Sequence, residues 1–490
     1  MIIKRKILYI FLLLLYLVLA IIIVPMVVPL KEEFQLNFDE GLQLMRASLY
    51  MQGYSPQTEI WSDQPFFFPA LLSLWFSIVG KSVFSARLLT VIFSALLIWF
   101  FFETIRISLG IFPAIIGAIS LAASSGFIRF SSAVMIGIPS LSLGVISIYF
   151  LFIYKKSQQK YLLIISGVLF ALSLKIKFFT VFLIPIILLV LFDVNKINFE
   201  SNQKPRSKLM YPLLLWIISL VVIFLIVSLL FNELSYQQLF GTHFGEEIQA
   251  AFTMKNGFEK LSKVIINKDY DLFSLAIFGI LVVFVRHRWE GIFPVAWLGT
   301  GTLLLLNHRP VWPHHYCLIA IPMAWLTAYA SVPFFDLFQQ REFRLGNYFW
   351  ASISLILMIF ALLTLKPKVS KDIPSLQKNY EPQFAVINRL IKHKNSTKWL
   401  FTDVPIYGFY ADLLVPPEIA VFSTKRIKTG QLTQDEVYEL LVKYRPEQIL
   451  IGRFKGFIYT SSDVDSYINK FYSKSNDISA VDHYILKSLK

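Results

Sequence analysis

Residues Ile7 to Leu30 run for 24 positions without a charged side chain, directly after Lys4-Arg5-Lys6. About 20 apolar residues in a helix cross the hydrocarbon core of a bilayer. The apolar part of a cleavable signal is shorter, about 7–15 residues. The run therefore reads as an uncleaved first span that enters the membrane from the cytoplasmic side.

Ten more apolar runs follow, at roughly 83–105, 111–128, 132–154, 161–174, 176–193, 211–231, 271–285, 291–306, 316–332 and 347–365. Two are short enough to tilt, re-enter or break. Eleven spans with the N-terminus inside leave the C-terminus outside. The basic residues agree with this. Lys155, Lys156 and Lys160, then Lys196, Lys204, Arg206 and Lys208, then Arg286 and Arg288, then Arg341 and Arg344 all fall in loops predicted to be internal.

Composition points the same way. Only 16% of the residues are charged, 56% are hydrophobic, and mean hydropathy is +0.62. A soluble domain carries about 25% charged residues, so there is too little charge here to coat a water-facing surface. The net charge of +15 belongs to the loop pattern. No basic–aromatic stripe or zinc spacing accompanies it, which excludes nucleic acid as partner. A lone cysteine, Cys317, excludes an internal disulfide, and the apolar content excludes disorder.

The predicted fold class is mainly α: a polytopic membrane protein of about eleven transmembrane helices with a small C-terminal α/β domain. Residues 1–365 form the membrane module, and 366–490 a soluble domain on the outer side. Outer segments 31–82 and 232–270 are too long to be plain connectors. In the tail, helices are expected over Glu381–Lys394, after Thr433 and near Asp463–Tyr472. Strands are expected at Trp399–Val404, Gln448–Gly452 and Tyr484–Leu489. The tail has no phosphate-binding glycine pattern and is assigned no chemistry. Asn395-Ser396-Thr397 fits a glycosylation acceptor but is common by chance.

Four constellations carry chemistry. In the first outer loop, Asn37-Phe38-Asp39-Glu40-Gly41 opens a helix over Leu42–Gln52, with Leu42, Met45 and Leu49 on one face. This predicts an amphipathic helix lying on the membrane surface. Asp39 either caps the helix, with Glu40 favouring its positive end, or an acid here acts as a base in a partly dry site. Next, Trp61-Ser62-Asp63-Gln64-Pro65-Phe66-Phe67-Phe68-Pro69 reads as an extended interfacial segment, with Asp63 or Gln64 as a polar handle on an acceptor pocket. Third, Lys175, Lys177 and Arg129 are predicted at the outer boundary, against the charge rule. Cations kept there suit an anionic ligand such as phosphate, the alternative being side chains that snorkel to the interface. Last, Asn307-His308-Arg309-Pro310-Val311-Trp312-Pro313-His314-His315-Tyr316 reads as donors to a phosphate or sugar hydroxyl in preference to a metal site. No residue pattern requires a metal or cofactor, and the sequence leaves a divalent ion open.

Taken together, these residues resemble the GT-C glycosyltransferases of the protein O-mannosyltransferase and aminoarabinose transferase superfamily. The resemblance rests on Asn37-Phe-Asp-Glu40, Ser85-Ala-Arg-Leu-Leu89, Leu174-Lys-Ile-Lys-Phe-Phe-Thr180 and His308-Arg-Pro-Val-Trp-Pro-His-His-Tyr316. In the tail it rests on Thr402-Asp-Val-Pro405, Val415-Pro-Pro417 and Tyr444-Arg-Pro446. It implies an inverting transferase that passes a sugar from a polyprenyl-phosphate donor to a lipid, glycan or protein acceptor on the non-cytoplasmic face of the cell membrane. Asp39 would be the catalytic carboxylate, supported by Glu40. Lys177 and Arg129, with Lys175 beside them, would hold the donor phosphate. Asp63, Gln64, His308, Arg309, His315 and Tyr316 would line the donor or acceptor pocket. Two departures stand out. Asp63-Gln64-Pro65 replaces the Lys-Pro-Pro of the aminoarabinose transferases, and Met135-Ile-Gly-Ile-Pro139 lacks the acid many members carry after the third span. A transporter or flippase of a lipid-linked sugar is the alternative, and a non-catalytic scaffold a third reading.

Overall fold

The computed structural model describes residues 2–193, 207–234, 246–252, 267–337, 345–372, 380–475 and 481–489, with 259, 262, 263 and 265. Lys196, Lys204, Arg206, Arg341, Arg344, His243 and most of the outer segment 232–270 lie outside the described residues.

Each of the eleven apolar runs is helical. Among the described residues seven helices are long and apolar enough to cross a membrane, and shorter apolar helices account for the rest. The first ten helices are α1 (Ile2–Val27), α2 (Asp39–Met51), α3 (Phe67–Val79), α4 (Val83–Leu109), α5 (Ile111–Ala122), α6 (Phe127–Phe130), α7 (Gly137–Ser157), α8 (Tyr161–Ile176), α9 (Ile184–Asp193) and α10 (Ser207–Leu230). Helices Tyr270–Val285, Ile292–Asn307, Cys317–Leu337 and Leu345–Asp372 complete the bundle. Helix Cys317–Leu337 is its axis, and every residue from Cys317 to Pro333 is buried. Close packing around this axis needs small residues. A Cβ on Gly279 would fall 2.1 Å from the carbonyl oxygen of Leu326. By contrast α1 is peripheral: Leu8, Phe11, Leu15 and Ile22 are exposed. Tyr9 and Tyr16 pack on Trp99 of α4 and hold it to the bundle.

The C-terminal region is the expected small α/β unit. Strands β1 (Leu400–Thr402), β2 (Gln448–Ile451), β3 (Tyr472–Lys474) and β4 (Asp482–Leu486) form one sheet of order β1-β2-β4-β3. β1 and β2 are parallel, and the other two pairings are antiparallel. Helices Glu381–Lys392, Gln434–Tyr444 and Ser462–Phe471 fall where the pattern places them, and Thr433 and Glu436 make the expected capping box. The short strand β3 carries no alternation long enough to announce it.

Two local expectations fail. The amphipathic helix α2 has no water-facing side: Glu40 to Leu49 are all buried, because the C-terminal unit packs on it. Helix Ile406–Ala411 meets it so closely that a Cβ on Gly41 would sit 2.7 Å from the backbone nitrogen of Ile406, so only glycine fits there. Nor is Phe66–Pro69 extended. Pro69 lies in the first turn of α3, where its missing N–H breaks no helical bond.

Candidate active site

The two acids that open α2 have different surroundings. Glu40 is wholly buried and its carboxylate is fully engaged. Arg87 of α4 reaches it with two bonds, of 3.0 and 2.8 Å. The backbone N–H groups of Leu36 and Val134 donate to it at 2.7 and 3.0 Å. The remaining nitrogen of Arg87 donates to the carbonyls of Leu30 and Glu33, both at 2.7 Å. This knot ties the end of the first span, the start of α2, α4 and the 131–136 loop together. Glu40 is therefore a positioning residue, outside the cavity described next.

Asp39 takes no part in that knot. It is the first residue of α2 but does not cap it; the side-chain oxygen of Asn37 accepts the Asp39 N–H at 3.0 Å instead. Among the described residues its carboxylate has no hydrogen-bond or ion-pair partner. It faces a cavity of about 380 Å³ between the bundle and the C-terminal unit. Burial pushes its pKa above the usual carboxylate value; Lys177 opposes this, Asp63 adds to it, and Arg453 opposes it.

The break after α8 supplies the opposing charge. The helix ends at Ile176, Lys177 is extended (φ −153°, ψ 120°), and a 3-10 turn Phe178–Leu183 follows. The turn aims Lys177 into the cavity, its ammonium 4.9 Å from the centre of the Phe179 ring. Arg129, at the end of the short α6, also lines the cavity, and its Nε donates to the Leu36 carbonyl at 2.7 Å. Asp39, Lys177 and Arg129 thus share one space. Asp63, Gln64, His308 and His315 line it too. His315 accepts the Trp312 N–H at 3.3 Å, and the rings of His308 and His315 flank Phe179 at 4.3 and 5.0 Å.

Three sequence candidates lie elsewhere. Lys175, two residues before Lys177, points to the other side of α8. It is buried against Glu233 and Ser228, and Glu233 in turn accepts the Phe66 N–H at 2.8 Å. It braces the first outer loop and does not reach the cavity. Tyr316 is buried in the bundle core. Arg309 lines a second cavity, not the first.

That second cavity, about 780 Å³, is an apolar groove lined by Leu174, Phe178, Val181, Phe182, Phe224 and Leu303 among others. Gln64, Phe179 and His308 line both spaces, so the groove adjoins the polar cavity at these residues.

Among the lining residues that sequence reasoning missed are Gln43, Arg46, Lys425 and Arg453. Gln43 and Arg46 come from α2; Arg46 donates to Gln43 at 3.1 Å and to the carbonyls of Gln64 and Pro65. Lys425 and Arg453 come from the C-terminal unit, which the sequence reading assigned no chemistry. Lys425 pairs with Asp63 at 3.1 Å. Among the described residues no three His, Cys, Asp or Glu side chains group as a metal site.

The fold and the site define a class: a polytopic helical membrane protein with a charged cavity under a small α/β domain and an apolar groove beside it. Residues 63–226 match the family described as dolichyl-phosphate-mannose-protein mannosyltransferase. In three dimensions the chain is similar to ArnT from Cupriavidus metallidurans, solved bound to undecaprenyl phosphate and in the apo state. The TM-score is 0.59 at 11% identity, covering 97% of each chain. It is also similar to the archaeal oligosaccharyltransferase AglB from Archaeoglobus fulgidus, solved with an inhibitory peptide and a dolichol-phosphate. There the TM-score is 0.56 at 12% identity, over 95% of this chain and 72% of that one. At these identities the likeness is one of fold. No curated protein sequence matches the chain.

Proposed function

We propose that the protein is an integral-membrane glycosyltransferase that moves a sugar from a polyprenyl-phosphate donor to an acceptor hydroxyl or amine on the non-cytoplasmic face. One observation carries this reading. An unpartnered carboxylate, Asp39, shares a cavity with Lys177 and Arg129, and an apolar groove opens beside it. The lipid tail lies in the groove and the phosphate reaches Lys177 and Arg129. The acceptor attacks the anomeric carbon from the side opposite the phosphate. Its proton passes to Asp39, the carbon–oxygen bond to phosphate breaks, and the leaving anion stays with the two cations. Positioning and preorganised charge suffice for such a displacement. The ionised Asp39 is the working form.

The ligands of the similar structures support the donor class, an undecaprenyl phosphate in one and a dolichol-phosphate in the other. Charge supports the outer placement: Arg106, Lys155 and Lys156 sit at the helix ends away from the cavity, where the positive-inside rule puts the cytoplasm.

The test is a deletion strain complemented with the native gene or with Asp39→Asn, its envelope lipids and glycans compared by mass spectrometry. A sugar modification lost on deletion, restored by the native gene and not by Asp39→Asn, is the expected result. Movement of a lipid-linked sugar between leaflets without cleavage of its bond to phosphate would replace this reading by a flippase.

A further inference from the structure

The cavity holds more positive charge than one lipid phosphate needs. Five cations, Lys177, Arg129, Arg46, Lys425 and Arg453, line it against two carboxylates, Asp39 and Asp63. The cations divide by origin. Lys177 belongs to the bundle, two residues before Phe179, which lines both the cavity and the apolar groove; Lys425 and Arg453 belong to the C-terminal unit.

Arg453 is held with unusual care for a side chain at a water-facing loop. The carboxylate of Asp403, at the end of β1, accepts the backbone N–H groups of Gly452, Arg453 and Phe454, the first two at 2.8 Å and the third at 2.5 Å. That fixes the turn. The guanidinium then lies 3.5 Å from the centre of the Phe38 ring, next to the catalytic candidate Asp39. Among the described residues it has no hydrogen-bond or ion-pair partner. Stacking leaves the in-plane N–H donors of an arginine free for a carboxylate or phosphate. Asp39 thus shares the cavity with two cations that lower its pKa, Lys177 from the bundle and Arg453 from the C-terminal unit.

We propose that Arg453, with Lys425, forms a second anion subsite that receives a phosphate or carboxylate carried by the acceptor, on the C-terminal-unit side of Asp39. This rests on the donor reading above, which places the lipid phosphate at Lys177. An acceptor anchored there by its charge presents a neighbouring hydroxyl to Asp39, and the charge adds orientation without taking part in bond making. Its anion competes with Asp63 for Lys425, so the Asp63–Lys425 pair opens when the acceptor enters.

The experiment uses the full chain in nanodiscs, with undecaprenyl phosphate as the donor-side probe, glycerol 1-phosphate as the acceptor-side probe and glycerol as the neutral control. At saturating undecaprenyl phosphate, glycerol 1-phosphate still binds and glycerol does not. Arg453→Gln weakens glycerol 1-phosphate about tenfold or more, the loss of one charged contact. Arg453→Lys recovers part of it, and undecaprenyl phosphate binding changes less than about twofold in either variant. Lys177→Ala shows the reverse pattern. Displacement of glycerol 1-phosphate by undecaprenyl phosphate would merge the two subsites and overturn the proposal, as would monoester binding indifferent to Arg453. If the unaltered chain binds the monoester through Arg453 but no undecaprenyl phosphate, the donor reading falls and the second subsite stands.

Discussion

The bundle wall of the cavity and the wall built by the C-terminal unit carry similar charges under different physical rules. In the bundle, a charge surrounded by apolar side chains is costly unless it is paired or has work to do. Lys175 and Glu40 are paired; Lys177 and Asp39, one or two positions away, have no such partner among the described residues. In the C-terminal unit charge is cheap, and Lys425 and Arg453 are set apart only by where the fold brings them. An unpaired charge thus stands out already in the sequence in one wall, and only once the fold is known in the other.

The strongest way to break this contrast is Asp39→Asn. It should lower sugar transfer by about 10²–10⁴-fold, the usual contribution of a positioned base. Melting temperature should stay unchanged, since the carboxylate bonds nothing in the fold. A variant that transfers at the native rate makes Asp39 a bystander.

Glu40→Gln should do the opposite. Removing one partner of a buried ion pair costs about 3–5 kcal/mol, seen as a lower melting temperature and less protein in the membrane. A normal melting curve would mean that the Arg87 knot is not what holds α2.

The two lysines sharpen the contrast. Lys177→Ala should weaken donor binding about tenfold or more. Lys175→Met should leave donor affinity alone while loosening the fold. Equal effects on donor affinity would show that the break after α8 does not sort them.

The acid limb of kcat/KM should lie above the ordinary carboxylate pKa of about 3.9, because burial raises Asp39. Activity rises as pH climbs through that limb, the ionised acid being the active form. Lys177→Ala, removing a charge that lowers the Asp39 pKa, moves the limb up; Asp63→Asn, removing one that raises it, moves the limb down. Limbs that stay fixed in both variants would assign the titration to another group. The smallest effect belongs to the exposed Lys81–Asp412 pair between the two regions: Lys81→Ala should change stability by less than about 1 kcal/mol in chemical denaturation.

The same contrast sets how much was legible beforehand. The spans could be read because a bilayer demands long apolar helices, and most of the tail's helices and strands because their alternation is regular. Asp39, Lys177 and Arg129 stood out as charges in apolar surroundings. Glu40 and Lys175 stood out by the same signal, but the fold pairs them outside the cavity with Arg87 and Glu233, 47 and 58 residues away. Pairing across such distances leaves no mark in a local pattern. Arg453 gave no signal at all. The Thr402-Asp-Val-Pro405 segment contained its support, Asp403, but nothing in the sequence linked that acid to the turn at Gly452–Phe454.

The seam at Gly41 has one more consequence. The spacer between α2 and the backbone of Ile406 is a single hydrogen atom, the thinnest that chemistry offers, so the joint has no play to give up. A methyl group there would jack the two pieces apart like a shim under a hinge. The alignment of the first-loop helix with the C-terminal unit is therefore gauged by the absence of a side chain.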